Sequence, residues 1–146
     1  MFIGNFDSKL DTQKGRTAVP VKFRGSLGKK AIITQGYEGS LMIVKAEDWE
    51  KVVSSLTQSS FLSGVTRQTE RFLLGSAFAI DLDAQGRFIV PLSLRHDAKL
   101  SQNIVFVGVG SRIEIWDRVA WTKQQRYLQE NIAYISDKLD EKISSK

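Results

Sequence analysis

Two short segments hold the residues best placed to do chemistry. Leu10-Asp11-Thr12-Gln13-Lys14-Gly15-Arg16-Thr17-Ala18-Val19-Pro20-Val21-Lys22-Phe23-Arg24 returns as Leu82-Asp83-Ala84-Gln85-Gly86-Arg87-Phe88-Ile89-Val90-Pro91-Leu92-Ser93-Leu94-Arg95. With Lys14 set aside, fourteen positions align, eight are identical, and both prolines of the chain fall at the same place. Each copy centres on a Gly-Arg pair, Gly15-Arg16 and Gly86-Arg87. Glycine lets a backbone approach a bulky partner. The arginine after it offers two parallel donors that match a phosphate, or the O6/N7 edge of guanine. Lys14, Lys22, Arg24 and Arg95 lie close by in sequence and would widen the pair into a two-fold-related basic surface. Alternatively, Arg16 and Arg87 pair with Asp11 and Asp83 to hold the turns. The two readings are compatible if the carboxylate orients the arginine.

Other chemistries find little support. The chain has no cysteine and a single histidine, His96, so thiolate nucleophiles, cysteine-ligated zinc and histidine-rich metal sites are excluded. Gly25-Ser26-Leu27-Gly28-Lys29-Lys30 lacks the four-residue gap and the hydroxyl after lysine of a phosphate-binding loop. Gly108-Val109-Gly110 has no third glycine and opens onto a strand. An aspartic dyad needs an Asp-Thr-Gly or Asp-Ser-Gly elbow, whereas Asp11 and Asp83 sit in Asp-Thr-Gln and Asp-Ala-Gln. Closing a turn suits both aspartates better. The expectation is a non-catalytic protein with no metal, cofactor or small-molecule substrate.

Charge points the same way. The 146 residues carry a formal +5, but Lys9 to Lys30 holds seven cations against Asp11 alone. That segment is therefore +6, the remainder −1, and the second motif region, Asp83 to Lys99, only +1. A basic excess confined to one segment suits a polyanion. It also suits a solvated loop. No stretch approaches the roughly 18 apolar residues of a bilayer span. The N-terminus lacks the basic opening of a signal peptide, so a cytoplasmic protein is expected.

The elements that must position these turns repeat as well. Each half of about 70 residues predicts a short strand, a Gly-Arg turn, and an extended segment ending at Pro20 or Pro91. A short helix then starts with proline at its first position. Two strands follow, Ala31–Thr34 with Leu41–Val44 and Ile104–Val107 with Ile113–Trp116; a spacing of 72 aligns the stretch Ala31 to Gly36 with Asn103 to Gly108, and Leu41 to Val44 with Ile113 to Trp116. A helix closes each half. In the first, Trp49, Val52, Val53 and Leu56 mark a buried face; in the second, about Arg118 to Lys142, Trp121, Leu128, Ile132 and Ile135 do so, with fraying from Lys138. The chain divides into a first repeat at 1–64, a bridging helix at 65–74 and a second repeat at 75–146. Halves this small are expected to fold together, as an α+β pseudo-dimer with a barrel-like, mainly β core.

The two Asp…Gly-Arg motifs ending in Val-Pro, the linker Arg71-Phe72-Leu73-Leu74-Gly75-Ser76-Ala77 and Ile113-Glu114-Ile115-Trp116-Asp117 resemble the MraZ family, within the AbrB-like swapped-hairpin group. The resemblance runs from Met1 to about Tyr134. It implies two AbrB-like units interleaving hairpins about a pseudo-two-fold axis. It also implies a ring-like homo-oligomer on short direct repeats of double-stranded promoter DNA, associated with the nucleoid. The family's regulators control the bacterial division and cell-wall gene cluster, usually by repressing their own operon. Their DNA-contacting arginines fall on Arg16 and Arg87, and the lysine before the first Gly-Arg falls on Lys14. The family's Asp-x-x-x-Arg spacing is met by Asp83 and Arg87, while Asp11 and Arg16 stand one residue further apart. The alternative is a protein-interaction or antitoxin-like module whose basic face meets an acidic partner.

Overall fold

The computed structural model describes residues 1–58 and 60–144, so positions 59, 145 and 146 of the two expected repeats lie outside the described residues. The first half runs β1 (Phe2–Lys9), β2 (Arg16–Ala18), α1 (Val21–Leu27), β3 (Lys30–Gln35), β4 (Leu41–Lys45) and α2 (Ala46–Thr57). After α3 (Gly64–Leu73) the series returns as β5 (Phe78–Asp81), β6 (Arg87–Ile89), α4 (Leu92–Asp97), β7 (Asn103–Gly110), β8 (Ile113–Asp117) and α5 (Arg118–Ser144). The fold is α+β, with a predominantly antiparallel β core.

Among the described residues, six strands form one antiparallel sheet in the order β1-β7-β8-β4-β3-β5, and β2 and β6 form a separate antiparallel ribbon. That order reads the same from either edge once the halves are exchanged. Each half lends its first strand to the other: β1 pairs with β7, and β5 with β3. The pseudo-two-fold axis passes between Met42 and Glu114 in the sheet, and between Thr17 and Phe88 in the ribbon.

One continuous apolar cluster joins the halves. It takes Phe2 from β1, Ile33 from β3, Ile43 from β4, Phe106 from β7 and Ile115 from β8, and covers them with Val19, Phe23, Phe88, Val90 and Leu94. Ribbon and short helices thus seal one face of the sheet, which makes the core barrel-like. Phe23 meets Phe2 and Phe6 edge-to-face, with centroids 5.6 and 5.2 Å apart.

Several expectations change. Lys45 and Asp117 correspond, 72 residues apart, but their ladder partners Ala31 and Ile104 lie 73 apart. The spacing of 72 therefore fails for β3 and β7. A one-residue slip would turn every side chain to the opposite face, and Ile33 and Phe106 share the core only in the observed register. Pro20 and Pro91 precede the helices as caps, at φ −52° and −54° with extended ψ, rather than occupying the first helical position. No residue of α2 is fully buried; Trp49, Val52, Val53 and Leu56 are half-covered. In α5 only Trp121 is buried, and Ile132 is 53% exposed. A helix of 27 residues spans roughly 40 Å and outruns the five-residue strand β8 it packs on. Residues 138–144, expected to fray, remain helical.

Candidate nucleic-acid interface

Each Gly-Arg turn is built by its aspartate. Asp11 N–H donates to the Arg16 carbonyl at 2.9 Å, and Gly15 N–H to the Asp11 carbonyl at 2.6 Å. The second turn repeats this with Asp83 to Arg87 at 3.2 Å and Gly86 to Asp83 at 2.9 Å. The Asp11 carboxylate accepts from Gln13 N–H at 2.9 Å and Lys14 N–H at 3.1 Å. The Asp83 carboxylate accepts from Gln85 N–H at 2.9 Å and Arg87 N–H at 2.8 Å. Donors aimed at the ionised form hold both carboxyls below their usual range. Lys14 N–H is the largest cause for Asp11, and Arg87 N–H, followed by its guanidinium, for Asp83.

The turns differ at the arginine. Arg87 Nε donates to Asp83 Oδ2 at 2.6 Å, and its Nη2 to Gln85 Oε1 at 3.4 Å. Arg16 has no side-chain hydrogen bond or ion pair among the described residues. The extra residue carries its guanidinium out of reach of Asp11, whose oxygen is taken by Lys14 N–H instead. The turn-holding role therefore applies to Arg87 and not to Arg16.

The halves clamp each other. Val19 N–H donates to the Gly86 carbonyl at 2.9 Å, and Val90 N–H to the Gly15 carbonyl at 2.8 Å. Arg24 then crosses to the opposite turn: its Nε donates to the Val19 carbonyl at 2.7 Å while its stem lies against Gly86. Arg95 mirrors it against Gly15, with Nε on the Val90 carbonyl at 3.1 Å and Nη1 on the Thr12 carbonyl at 3.0 Å. A Cβ on Gly86 would stand 2.7 Å from Arg24 Nε, and one on Gly15 would stand 2.9 Å from both Arg95 Cζ and the Val90 carbonyl oxygen. Both glycines also have positive φ, +74° and +78°. Here glycine is needed twice over, for the dihedral and for the space.

Between the turns the ribbon has two distinct faces. Thr17 and Phe88 are buried against the core, whereas Arg16, Arg87 and Ile89 project to solvent. Arg16 sits opposite Ile89 and Arg87 opposite Ala18, so the arginines are diagonal neighbours across the axis. Arg16, Asp83, Arg87, Phe88 and Ile89 line an open hollow of about 360 Å³.

The residues singled out in the sequence thus separate. Gly15, Gly86, Arg16 and Arg87 are drawn together by the ribbon, with Lys14 exposed at the first tip and Asp11 and Asp83 inside the turns. Arg24 and Arg95 are half-buried struts behind the turns. Lys22 lies apart, its Nζ 5.8 Å from the centre of the Phe6 ring. Sequence reasoning overlooked Ile89, whose outward direction depends on ribbon register, and Gln85, although the Gln shared by both motifs was a visible signal.

Similarity to known proteins follows the duplication. The family model described as "MraZ protein, putative antitoxin-like" matches twice, over residues 1–72 and 73–141. A protein named transcriptional regulator MraZ from Lachnoclostridium phytofermentans is 38% identical over 143 residues, covering 97% of this chain and 96% of its own. Its namesake from Alkaliphilus oremlandii is 36% identical, with 97% and 98% covered. The one from Thermoanaerobacter pseudethanolicus is 32% identical, also with 97% and 98% covered. Matched in both halves and along nearly the full length of these relatives, the chain belongs to the MraZ family.

Proposed function

We propose that this chain is a transcriptional regulator that binds promoter DNA through its two Gly-Arg turns, without catalysis. The observation that carries the reading is the ribbon: two exposed arginines, diagonal across a pseudo-two-fold axis, on a face whose reverse is locked into the core. A two-stranded ribbon fits the major groove, and arginine is the residue best matched to guanine there. Lys14, Lys22, Arg24 and Arg95 add positive charge, and the +6 segment neutralises phosphates with the salt dependence that follows. Gly15 and Gly86 keep the turns close to the duplex, while Asp83 orients Arg87.

The operators are short direct repeats, occupied by a ring-like homo-oligomer whose several weak modules gain affinity together. Residues 1–64 and 75–146 act as the duplicated units and 65–74 as their bridge. The protein works in the cytoplasm, on the nucleoid, repressing its own operon and the division and cell-wall gene cluster. The names carried by the relatives support regulation of transcription.

The test is a gel shift with the DNA upstream of the protein's own coding sequence. Arg16→Ala together with Arg87→Ala is expected to abolish the shift while thermal unfolding and native mass stay unchanged. An intact shift would refute the assignment of DNA contacts to these turns.

A further inference from the structure

The exposed face of the ribbon holds one side chain that phosphate binding does not explain. Ile89 is 56% exposed, points to the same side as Arg16 and Arg87, and lies directly opposite Arg16. It lines the same hollow as both arginines. Its pseudo-two-fold counterpart is Ala18, a single methyl close to the backbone. The ribbon therefore carries its arginines at symmetric positions and its bulky apolar group on one side only.

A branched apolar side chain between two guanidiniums gains nothing from a phosphate, because it would strip water from an anion without replacing the lost bonds. The major-groove floor offers it one apolar group, the 5-methyl of thymine. Directly opposite residues in an antiparallel pair have Cβ atoms about 4.5–5.5 Å apart, and bases on one strand are spaced by about 3.4 Å. Ile89 therefore falls one to two base pairs from a base met by Arg16.

We propose that Ile89 is a specificity-determining residue that reads a thymine 5-methyl group beside the base contacted by Arg16. This rests on the DNA-binding reading above and adds the class of base pair the ribbon selects. Because Ala18 is too short to do the same beside Arg87, each subunit reads its site asymmetrically and has a fixed orientation on it.

The upstream DNA is prepared in two forms, one with thymine and one with uracil throughout, which differ only in the 5-methyl groups. Titrated against each, the unaltered protein is expected to bind the uracil form about fourfold more weakly per engaged repeat, the worth of one buried methylene-sized group. Ile89→Ala is expected to bind both forms alike, at the level the unaltered protein shows for uracil DNA. Equal affinity of the unaltered protein for the two forms would overturn the inference and leave DNA binding standing. A thymine preference that survives Ile89→Ala would overturn it too, by assigning the methyl contact elsewhere. Failure to bind either form would remove the DNA-binding reading itself and the inference with it.

Discussion

Gly86→Ala tests the clamp between the halves in a way that separates backbone strain from collision. A non-glycine residue at φ +74° costs roughly 1–2 kcal/mol by itself. The new methyl would also stand 2.7 Å from Arg24 Nε and 3.0 Å from its Cδ and Cγ. These atoms cannot simply swing aside, because Nε is bonded to the Val19 carbonyl at 2.7 Å. Moving the stem forfeits that charged hydrogen bond, worth about 1.5–3 kcal/mol. The whole substitution is therefore expected to cost on the order of 3–4 kcal/mol. In an Arg24→Ala background the collision is gone, and Gly86→Ala should cost only the roughly 1–2 kcal/mol of strain. The double-mutant cycle would then show a coupling of about 2 kcal/mol, within the range found for residues in contact. Urea denaturation of the four proteins, with equal slopes, measures it. A coupling near zero, with Gly86→Ala equally damaging in both backgrounds, would refute the claim that Arg24 is the strut behind the opposite turn.

Two further outcomes follow from the same geometry. Asp83 titrates below the usual carboxylate value because Arg87 N–H and guanidinium favour its charged form. Its contribution is thus fully present above the unfolded-state value and lost as pH falls through the folded-state value. Urea midpoints of Asp83→Asn between about pH 5 and pH 2 should fall less steeply than those of the parent, and an identical slope would count against the pair. Some slope remains in the variant, since Asp11 is lowered as well. Phe23→Ala removes a ring that is 2% exposed and packed edge-to-face on Phe2 and Phe6, so it should cost about 3–5 kcal/mol in urea unfolding. A loss under about 1 kcal/mol would show that α1 is not anchored through this residue.

The local patterns were legible in the residues themselves, whereas the interleaving of the two halves was reached only through the family resemblance. The Gly-Arg turns, the hairpins and the helix after each hairpin follow from glycine placement and hydrophobic period, which act over a few residues. The exchange of β1 and β5 between halves leaves no periodic trace, since each strand would alternate the same way beside either partner. The 73-residue register of β3 against β7 escaped for a related reason. The two hairpin connections differ in length by one residue, and only ladder partners such as Ala31 with Lys45 and Ile104 with Asp117 reveal it. The stripe along α5 is real as a pattern, but burial also requires something to cover it, and the sheet ends first. At the site, the separation of Asp11 from Arg16 was visible as one extra residue. The role of Arg24 and Arg95 was hidden, because each supports a turn about 60 to 80 positions away in sequence.

The clamp also explains three of the identities the two motifs share. Gly15 and Gly86, Val19 and Val90, and Arg24 and Arg95 each take part in a bond or contact that crosses to the other half. All three pairs are identities. Each half therefore has to present the residue its counterpart's turn requires, and a change in one half is felt in the other. The turns and the outward ribbon positions beside the arginines escape that constraint, and there the halves differ, with Thr12 against Ala84, Lys14 against no residue and Ala18 against Ile89, while Gln13 and Gln85 and the two arginines stay alike. Two identical chains meeting across a true two-fold axis would carry every such change twice. Within one chain the clamping pairs stay alike while the outward positions Ala18 and Ile89 diverge. The result is one arginine fixed by Asp83 and another without a carboxylate partner among the described residues, with a bulky apolar side chain directly across the ribbon from only the second. In the proposed DNA interface, a pseudo-symmetric ribbon of this kind would have a direction along the duplex, which suits a site that repeats head to tail better than a palindrome.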